Sequence, residues 1–386
     1  MQLKRGIATF TLDTGVCPRW LFERMRRLAR SLIEVVVEEF GPDEFVRRLA
    51  DPVWFQSLGT VLAFDWNASG LTTTLTAALK EAVRGQEKNW GIFICGGKGR
   101  TSRKTPEEIA TWGAVEGLPE SQVSGLIYHS RMAAKVDSAL VQDGFQIYHH
   151  AFFFTRSGAW TVVQQGMNQS SQRARRYHWF SAKVTDLVCE PHAGIISQGT
   201  NRVCLNLTAR ESERTRALST ELVRASYQGL MKDLRILRRH TGPVSRMVAV
   251  GSEKAETVAL ELFPVEFTQH PVMEEDFAHS RYLKKILWEL CQVKPGSYEQ
   301  LVALPGVGPR TVRALSLVAE VLYGAAPSYR DPARYSFAHG GKDGTPYPVD
   351  RVTYDQSIAF FREVVRRMRL PAGERRRLEQ KLGKAG

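Results

Sequence analysis

Cysteine is scarce in this 386-residue chain, and its five copies, Cys17, Cys95, Cys189, Cys204 and Cys291, are odd in number and lack C-x-x-C spacing. That excludes a disulfide framework or a zinc knuckle and points to a reducing compartment, the cytoplasm. No run approaches the roughly 18–20 apolar residues of a membrane-spanning helix, and Met1-Gln-Leu-Lys-Arg-Gly leads into no apolar signal core, so neither a membrane partner nor export is expected. The order G-x-x-x-x-G-K-[ST] of a nucleoside-triphosphate loop is missing, and no internal repeat is visible.

Positive charge is abundant instead. Lys and Arg number 53 against 40 Asp and Glu, giving +13 and a pI near 9.6, so the chain's field attracts polyanions. Nucleic acid, and DNA first, is the expected partner, in a cytoplasmic, nucleoid-associated setting. With 43% hydrophobic residues, the length suffices for two or three domains. The patterns predict an α/β (α+β) N-terminal domain with a mixed sheet over 1–210, a helical and mixed connector over 211–276, and an all-α domain over 277–386. That last domain ends in a basic run from Arg362 to Lys384.

Within the first domain, helical spacing covers 18–50, 71–84 and 121–141. "GIFICGGKGRTSRKTPEEI" (91–109) reads as a buried strand, a glycine loop with Lys98, Arg100, Arg103 and Lys104, and a helix capped by Thr105; the loop is a candidate phosphate cradle. "GFQIYHHAFFFT" and "AWTVVQQGM" read as a β-hairpin. Alternation puts Gln146, Tyr148 and His150 on one face and Ile147 and His149 on the other. A two-residue Ser157-Gly158 turn would set His150 opposite Gln165.

The densest polar set lies within 137–192, and two uses of it are open. In one, Asp137 or Asp143, His150, and His178, Glu190 or His192 hold a divalent metal (Mg, Mn or Zn), with Asp143, His150, Glu190 and His192 the leading ligand set. The metal activates water against a phosphodiester, with Gln165 beside it and Lys98 or Arg176 facing the developing charge. In the other, the same side chains contact bases or phosphates without metal. His149, expected on the apolar face, reads as structural. "RARRYHW" (173–179) offers Arg175 and Arg176 to phosphates and Tyr177 and Trp179 to unpaired bases.

The sharpest local signal is "LVALPGVGPRTVRALSLVAEVLYG" (301–324), two apolar-periodic segments joined by Pro305-Gly306-Val307-Gly308. Gly306 and Gly308 permit close approach, and Pro309 presets the second helix. Backbone amides over Gly306, Val307 and Gly308 would face a phosphate, with Arg310, Thr311 and Arg313 adding donors.

This stretch resembles a helix-hairpin-helix, a DNA-gripping module, and residues 280–315 look like the corresponding part of helix-hairpin-helix DNA glycosylases. That resemblance implies a catalytic Asp in a V-D pair, for which Val349-Asp350 is the match. Arg310 stands where the bifunctional glycosylases carry lysine, which excludes Schiff-base chemistry by that route. The insertion "SYRDPARYSFAHGGKDGTPYP" is longer than the glycosylase pattern has.

Through "RWLFERM", "DPVWFQSLG", "GGKGRTSRKTPEEI", "AKVDSALVQDGFQIYHH", "QQGMN", "ARRYHW", "PHAGI" and "GKDGTPYPVDRVTYDQSI", the chain is also similar, nearly end to end, to an uncharacterised prokaryotic family catalogued as domain of unknown function 763. That resemblance implies histidines in the loops at Thr11–Thr14 and Asp65–Gly70, where this chain has none. The leading expectation is a metal-dependent nuclease of DNA repair or recombination. The alternatives are a glycosylase using Asp350 and a non-catalytic DNA-binding factor that recruits a repair protein.

Overall fold

The structure, a computed structural model, describes residues 17–63, 68–197, 199, 204–240, 280–333 and 351–384. Asp350 and the Thr11–Thr14 loop fall outside the described residues. The expected helix over 18–50 is broken at Gly41, whose φ of +86° suits glycine and whose successor, Pro42, opens a new helix. This leaves α1 (Arg19–Phe40) and α2 (Pro42–Leu49), followed by α3 (Pro52–Ala63), α4 (Ala68–Val83) and the short α5 (Glu87–Trp90).

The strands are β1 (Ile92–Lys98), β2 (Val141–Gln142), β3 (Gln146–Thr155), β4 (Trp160–Asn168), β5 (Arg173–Phe180), β6 (His192–Ser197) and β7 (Leu205–Asn206). They form a sheet in the order β1-β3-β4-β5-β6 and a separate β2-β7 pair. A mixed sheet was the expectation, but among the described residues every pairing is antiparallel. Between β1 and β2 run α6 (Thr105–Glu116) and α7 (Glu120–Ala139).

The sheet is covered on both sides, which explains why β3 carries three phenylalanines in a row. Phe153, with Ile92, Ile94 and Val163, packs into a core shared with α1 to α4. Phe152 and Phe154, with Phe93, Val162 and Trp179, pack into a core shared with α6 and α7. Burying each such ring is worth about 1.5–3 kcal/mol. The second core continues into α8 (Glu213–Ala225), α9 (Tyr227–His240), α10 (Arg281–Val293), α11 (Tyr298–Ala303) and α12 (Pro309–Tyr323). α13 (Arg351–Arg367) returns to the first core, where Phe361 stacks on Trp54 at 5.1 Å, and α14 (Ala372–Lys384) packs beside it.

Two details overturn the expected hairpin register. The β3–β4 connection is a three-residue turn, Arg156-Ser157-Gly158, closed by Thr155 N–H donating to Ala159 O at 3.0 Å, with Gly158 at φ +90°. His150 is therefore opposite Gln164, and His149 opposite Gln165. A register shift between Ile147 and His149 also breaks the alternation, so Tyr148 reaches Gln165 rather than sharing a face with His150.

Candidate functional site

The glycine turn is built by local rules. Ser297 caps α11 by accepting from Gln300 N–H, while the Gln300 side chain accepts from Gly296 N–H, a reciprocal cap. Leu304-Pro305-Gly306-Val307 is then a type II turn: Gly306 takes φ +81° and Val307 N–H donates to Leu304 O at 3.3 Å. A Cβ on Gly306 would lie 2.3 Å from Ile286 Cδ1 in α10. Gly308 caps α12 without a side chain over the first-turn amides, and Pro309 opens the helix.

Contacts from the sheet domain hold the turn from its carbonyl side. Lys135 donates to Leu304 O, Gln142 donates to Pro309 O at 3.0 Å, and Arg313 Nε donates to Gln142 Oε1 at 2.5 Å. Of the residues expected at this turn, Gly306 and Arg310 are exposed and Gly308 is half-buried. Val307 and Thr311 are buried and serve as packing, and Arg313 is half-buried beside Gln142.

The polar set over 137–192 is split between the two faces of the sheet. On the α7 face a closed network runs through the core. Gln164 Nε2 donates to Ala133 O and to Asp137 Oδ2, which leaves its Oε1 to accept from His150 Nδ1–H at 2.9 Å. His150 Nε2 then carries the lone pair and accepts from Ser130 Oγ–H at 2.9 Å. Asp137 further accepts from Trp179 Nε1 and, at 2.6 Å, from His192 Nε2.

On the same face, Arg175 donates to Asp143 at 2.9 Å and to both oxygens of Asp331 at 2.9 and 2.7 Å, and Tyr177 donates to Asp143 at 2.6 Å. Burial is the main influence on Asp143 and raises its pKa against the opposing pull of Arg175.

The α4 face is different. Cross-strand pairing lines up Lys98, His149, Gln165 and Arg176 on β1, β3, β4 and β5. Thr72 and Thr76 of α4, four residues apart and so on one face of the helix, lie over this row. Thr76 gives its proton to Thr72 O, so its oxygen accepts from His149 Nε2–H at 3.0 Å, which fixes the tautomer and leaves Nδ1 with a lone pair. Gln165 Nε2 donates to Ser69 O at 2.9 Å and to the Tyr148 hydroxyl at 2.5 Å, so Oε1 points away from both.

His149 Nδ1 and Gln165 Oε1 are fully buried and have no hydrogen-bond partner among the described residues. Such an atom costs about 1–3 kcal/mol. Burial, with His150 and Lys98 nearby, pushes His149 down to about 3, so it is neutral at physiological pH. Arg176 donates to Thr72 Oγ1 and Gln56 Oε1, each at 3.2 Å. Burial pulls it down to about 9.

Further along this face, His178 donates from Nδ1 to Leu49 O, and its Nε2 lone pair is also unpartnered. Burial first, then Arg176, holds it well below the ordinary histidine range.

The side chains expected to share a cation are each held by other partners, His150 and His192 in the one network through Gln164 and Asp137, Asp143 and Glu190 apart from it. Asp143 is bound to Arg175 and Tyr177, His150 to Ser130 and Gln164, and His192 to Asp137. Glu190 is exposed, 3.8 Å from Arg210. Among the described residues, no group of three or more His, Cys, Asp or Glu side chains could hold a metal ion. "RARRYHW" lies in the strand β5, with Arg175, Arg176, Tyr177 and Trp179 fully buried, so the arginines expected to face phosphates and the rings expected to meet unpaired bases are in the core.

In the glycine loop, Lys98 is exposed and its ammonium lies 5.9 Å from the Tyr148 ring centre. Gly96 is a packing residue: a Cβ there would lie 2.2 Å from His150 O, and its N–H donates to Glu108. Thr105 lies inside α6 rather than capping it, because a 3-10 turn over Gly99–Lys104 leads directly into the helix.

Sequence reasoning singled out His150, both of whose ring nitrogens have partners, and read as structural His149, whose Nδ1 has none among the described residues. The signal that would have found His149 is the Thr72/Thr76 pair, whose i, i+4 spacing puts two hydroxyls on one helix face.

The described cysteines are all free thiols, and no helix among the described residues is long and apolar enough to cross a membrane. Compared with known proteins, residues 6–349 match a family described as "Protein of unknown function (DUF763)". No curated protein and no solved structure matches the chain.

Proposed function

Since the chain belongs to the DUF763 family over nearly its full length, a membership that carries no activity with it, we propose from its own residues that it is a DNA-processing protein. In this reading the turn at 305–309 holds the sugar–phosphate backbone. The observation that carries it is the α12 N-terminus: a type II turn delivers a helix start with no capping side chain to the surface of a chain of charge +13. First-turn amides and the helix dipole favour an anion there, and phosphate is the anion a basic protein meets in repeating array.

Gly308→Asp tests this without disturbing the fold. The φ at Gly308 is −142°, open to any residue, and a Cβ there meets nothing within 4 Å. Aspartate at that position caps α12, which is worth about 1 kcal/mol, and sets a carboxylate where the phosphate would sit. Thermal midpoint is expected to hold or rise while duplex-DNA affinity falls about tenfold or more at low salt, with a shallower salt dependence. Unchanged affinity would refute the backbone grip.

The chemistry we assign to the α4-face row is phosphodiester hydrolysis. His149 Nδ1 and Gln165 Oε1 offer two acceptors for the protons of an attacking water, and Lys98, exposed at the end of the row, adds positive charge. A divalent cation remains part of this proposal, without the ligand set expected from sequence. His149→Gln keeps a donor for Thr76 and removes the Nδ1 lone pair. Cleavage of plasmid or branched DNA, followed in Mn²⁺ and in EDTA, is expected to drop about 100-fold with duplex affinity kept within about twofold. Cleavage that survives His149→Gln would remove this row from the reaction, and loss of cleavage in EDTA would assign the cation.

A further inference from the structure

We infer that the exposed face of α10 is a stacking surface for the unpaired bases of single-stranded DNA, continuous with the turn at 305–309. This rests on the backbone grip proposed above and names the form of DNA it serves. Tyr282 is 61% and Trp288 51% exposed, and Val293, at 58%, adds apolar surface at the C-terminal end of the face. Aromatic rings of this size are usually covered, and two on one short helix mark a surface meant for a partner.

The Tyr282 hydroxyl donates to Gly306 O at 3.2 Å, which places its ring against the turn at 305–309. Arg281 and Lys285 are exposed on the same face, with Lys285 3.8 Å from Glu289. Cations on this face disfavour pairing with a second copy, which would bring like charges together. They favour a polyanion that carries flat π faces, and every base has one. A duplex hides those faces, whereas a single strand presents them.

The test is fluorescence anisotropy of the full chain on a labelled oligo-dT strand and on a duplex of equal length. Trp288→Ala is expected to weaken single-strand binding about tenfold and duplex binding by less than about twofold, with Trp288→Phe keeping most of the single-strand affinity. Trp288 is exposed, so the variants should melt with the parent.

Equal loss on both DNAs, no loss on either, or a change in sedimentation showing that the face joins two copies would each overturn the inference. Gly308→Asp separates it from its premise, because loss of the backbone grip weakens both DNAs. If Gly308→Asp changes neither while Trp288→Ala still selects against the single strand, the grip has failed and the stacking surface stands.

Discussion

Acidification from pH 7 to pH 4 is expected to cost this protein most of its folding stability, through histidines buried in its core. His149, His150 and His178 are buried neutral, and burial is the leading cause that lowers each of their pKa values. Unfolding returns them to an ordinary value near 6.5, so between that value and the folded one the unfolded chain binds more protons and stability falls as pH falls.

For His149 the window runs from about 6.5 down to about 3. At about 1.4 kcal/mol per pH unit, this one group removes about 3 kcal/mol by pH 4, and the other two act in the same direction. Asp143 opposes them, because burial raises its pKa and protonation then favours the fold. Three histidines outweigh one carboxyl against a total of about 5–15 kcal/mol. Urea unfolding at half-unit steps from pH 7 to pH 4 should show stability falling with a slope of two to three protons, shallower by about one in His149→Gln. A flat profile down to pH 4.5 would contradict the buried neutral state of these rings.

Those same rings show what the sequence could and could not convey. The glycine turn was legible because everything that makes it lies between residues 297 and 309: the Ser297 cap, Pro305 before Gly306, and Pro309 after Gly308. The start of the second helix at Pro309 was read correctly for that reason. The β3–β4 hairpin was legible as a hairpin, but its register turned on whether the connection held two residues or three. Gly158 permits both, and a one-residue difference moves Gln165 from opposite His150 to opposite His149.

Arg175 and Arg176 of β5 were read as phosphate contacts because they are buried by partners that no local window contains. Thr72 and Gln56, for Arg176, lie 104 and 120 residues away, and Asp331, for Arg175, lies 156 residues away. Singling out His150 rather than His149 followed from those two gaps together. The hairpin register was off by one residue, and the helix that covers His149 was not yet placed.

Arg175→Met is expected to be the most damaging single substitution in the ion cluster that joins the sheet to the chain beyond α12. The guanidinium is fully buried and donates to Asp143 and to both oxygens of Asp331. Asp331 stands just past a segment that crosses back onto the sheet domain, where Asn206 N–H donates to Ser328 O at 2.9 Å and Cys204 N–H to Tyr329 O at 3.2 Å. Removing the cation leaves two carboxylates at one dry site. The usual cost of breaking a buried pair from one side is about 3–5 kcal/mol.

The loss should depend on pH in a direction that identifies its cause. Asp143 already has a raised pKa, and without Arg175 it rises further, so the carboxyl takes a proton as pH falls and the repulsion is relieved. Measured against the parent at each pH, the destabilisation is therefore largest near pH 7 and smaller near pH 5.5. Arg175→Met/Asp331→Asn should recover part of it at neutral pH by deleting one of the two charges. A cost under about 1 kcal/mol at pH 7, or no recovery in the double variant, would mean that packing rather than this charge cluster fastens the segment carrying Asp331 to β5.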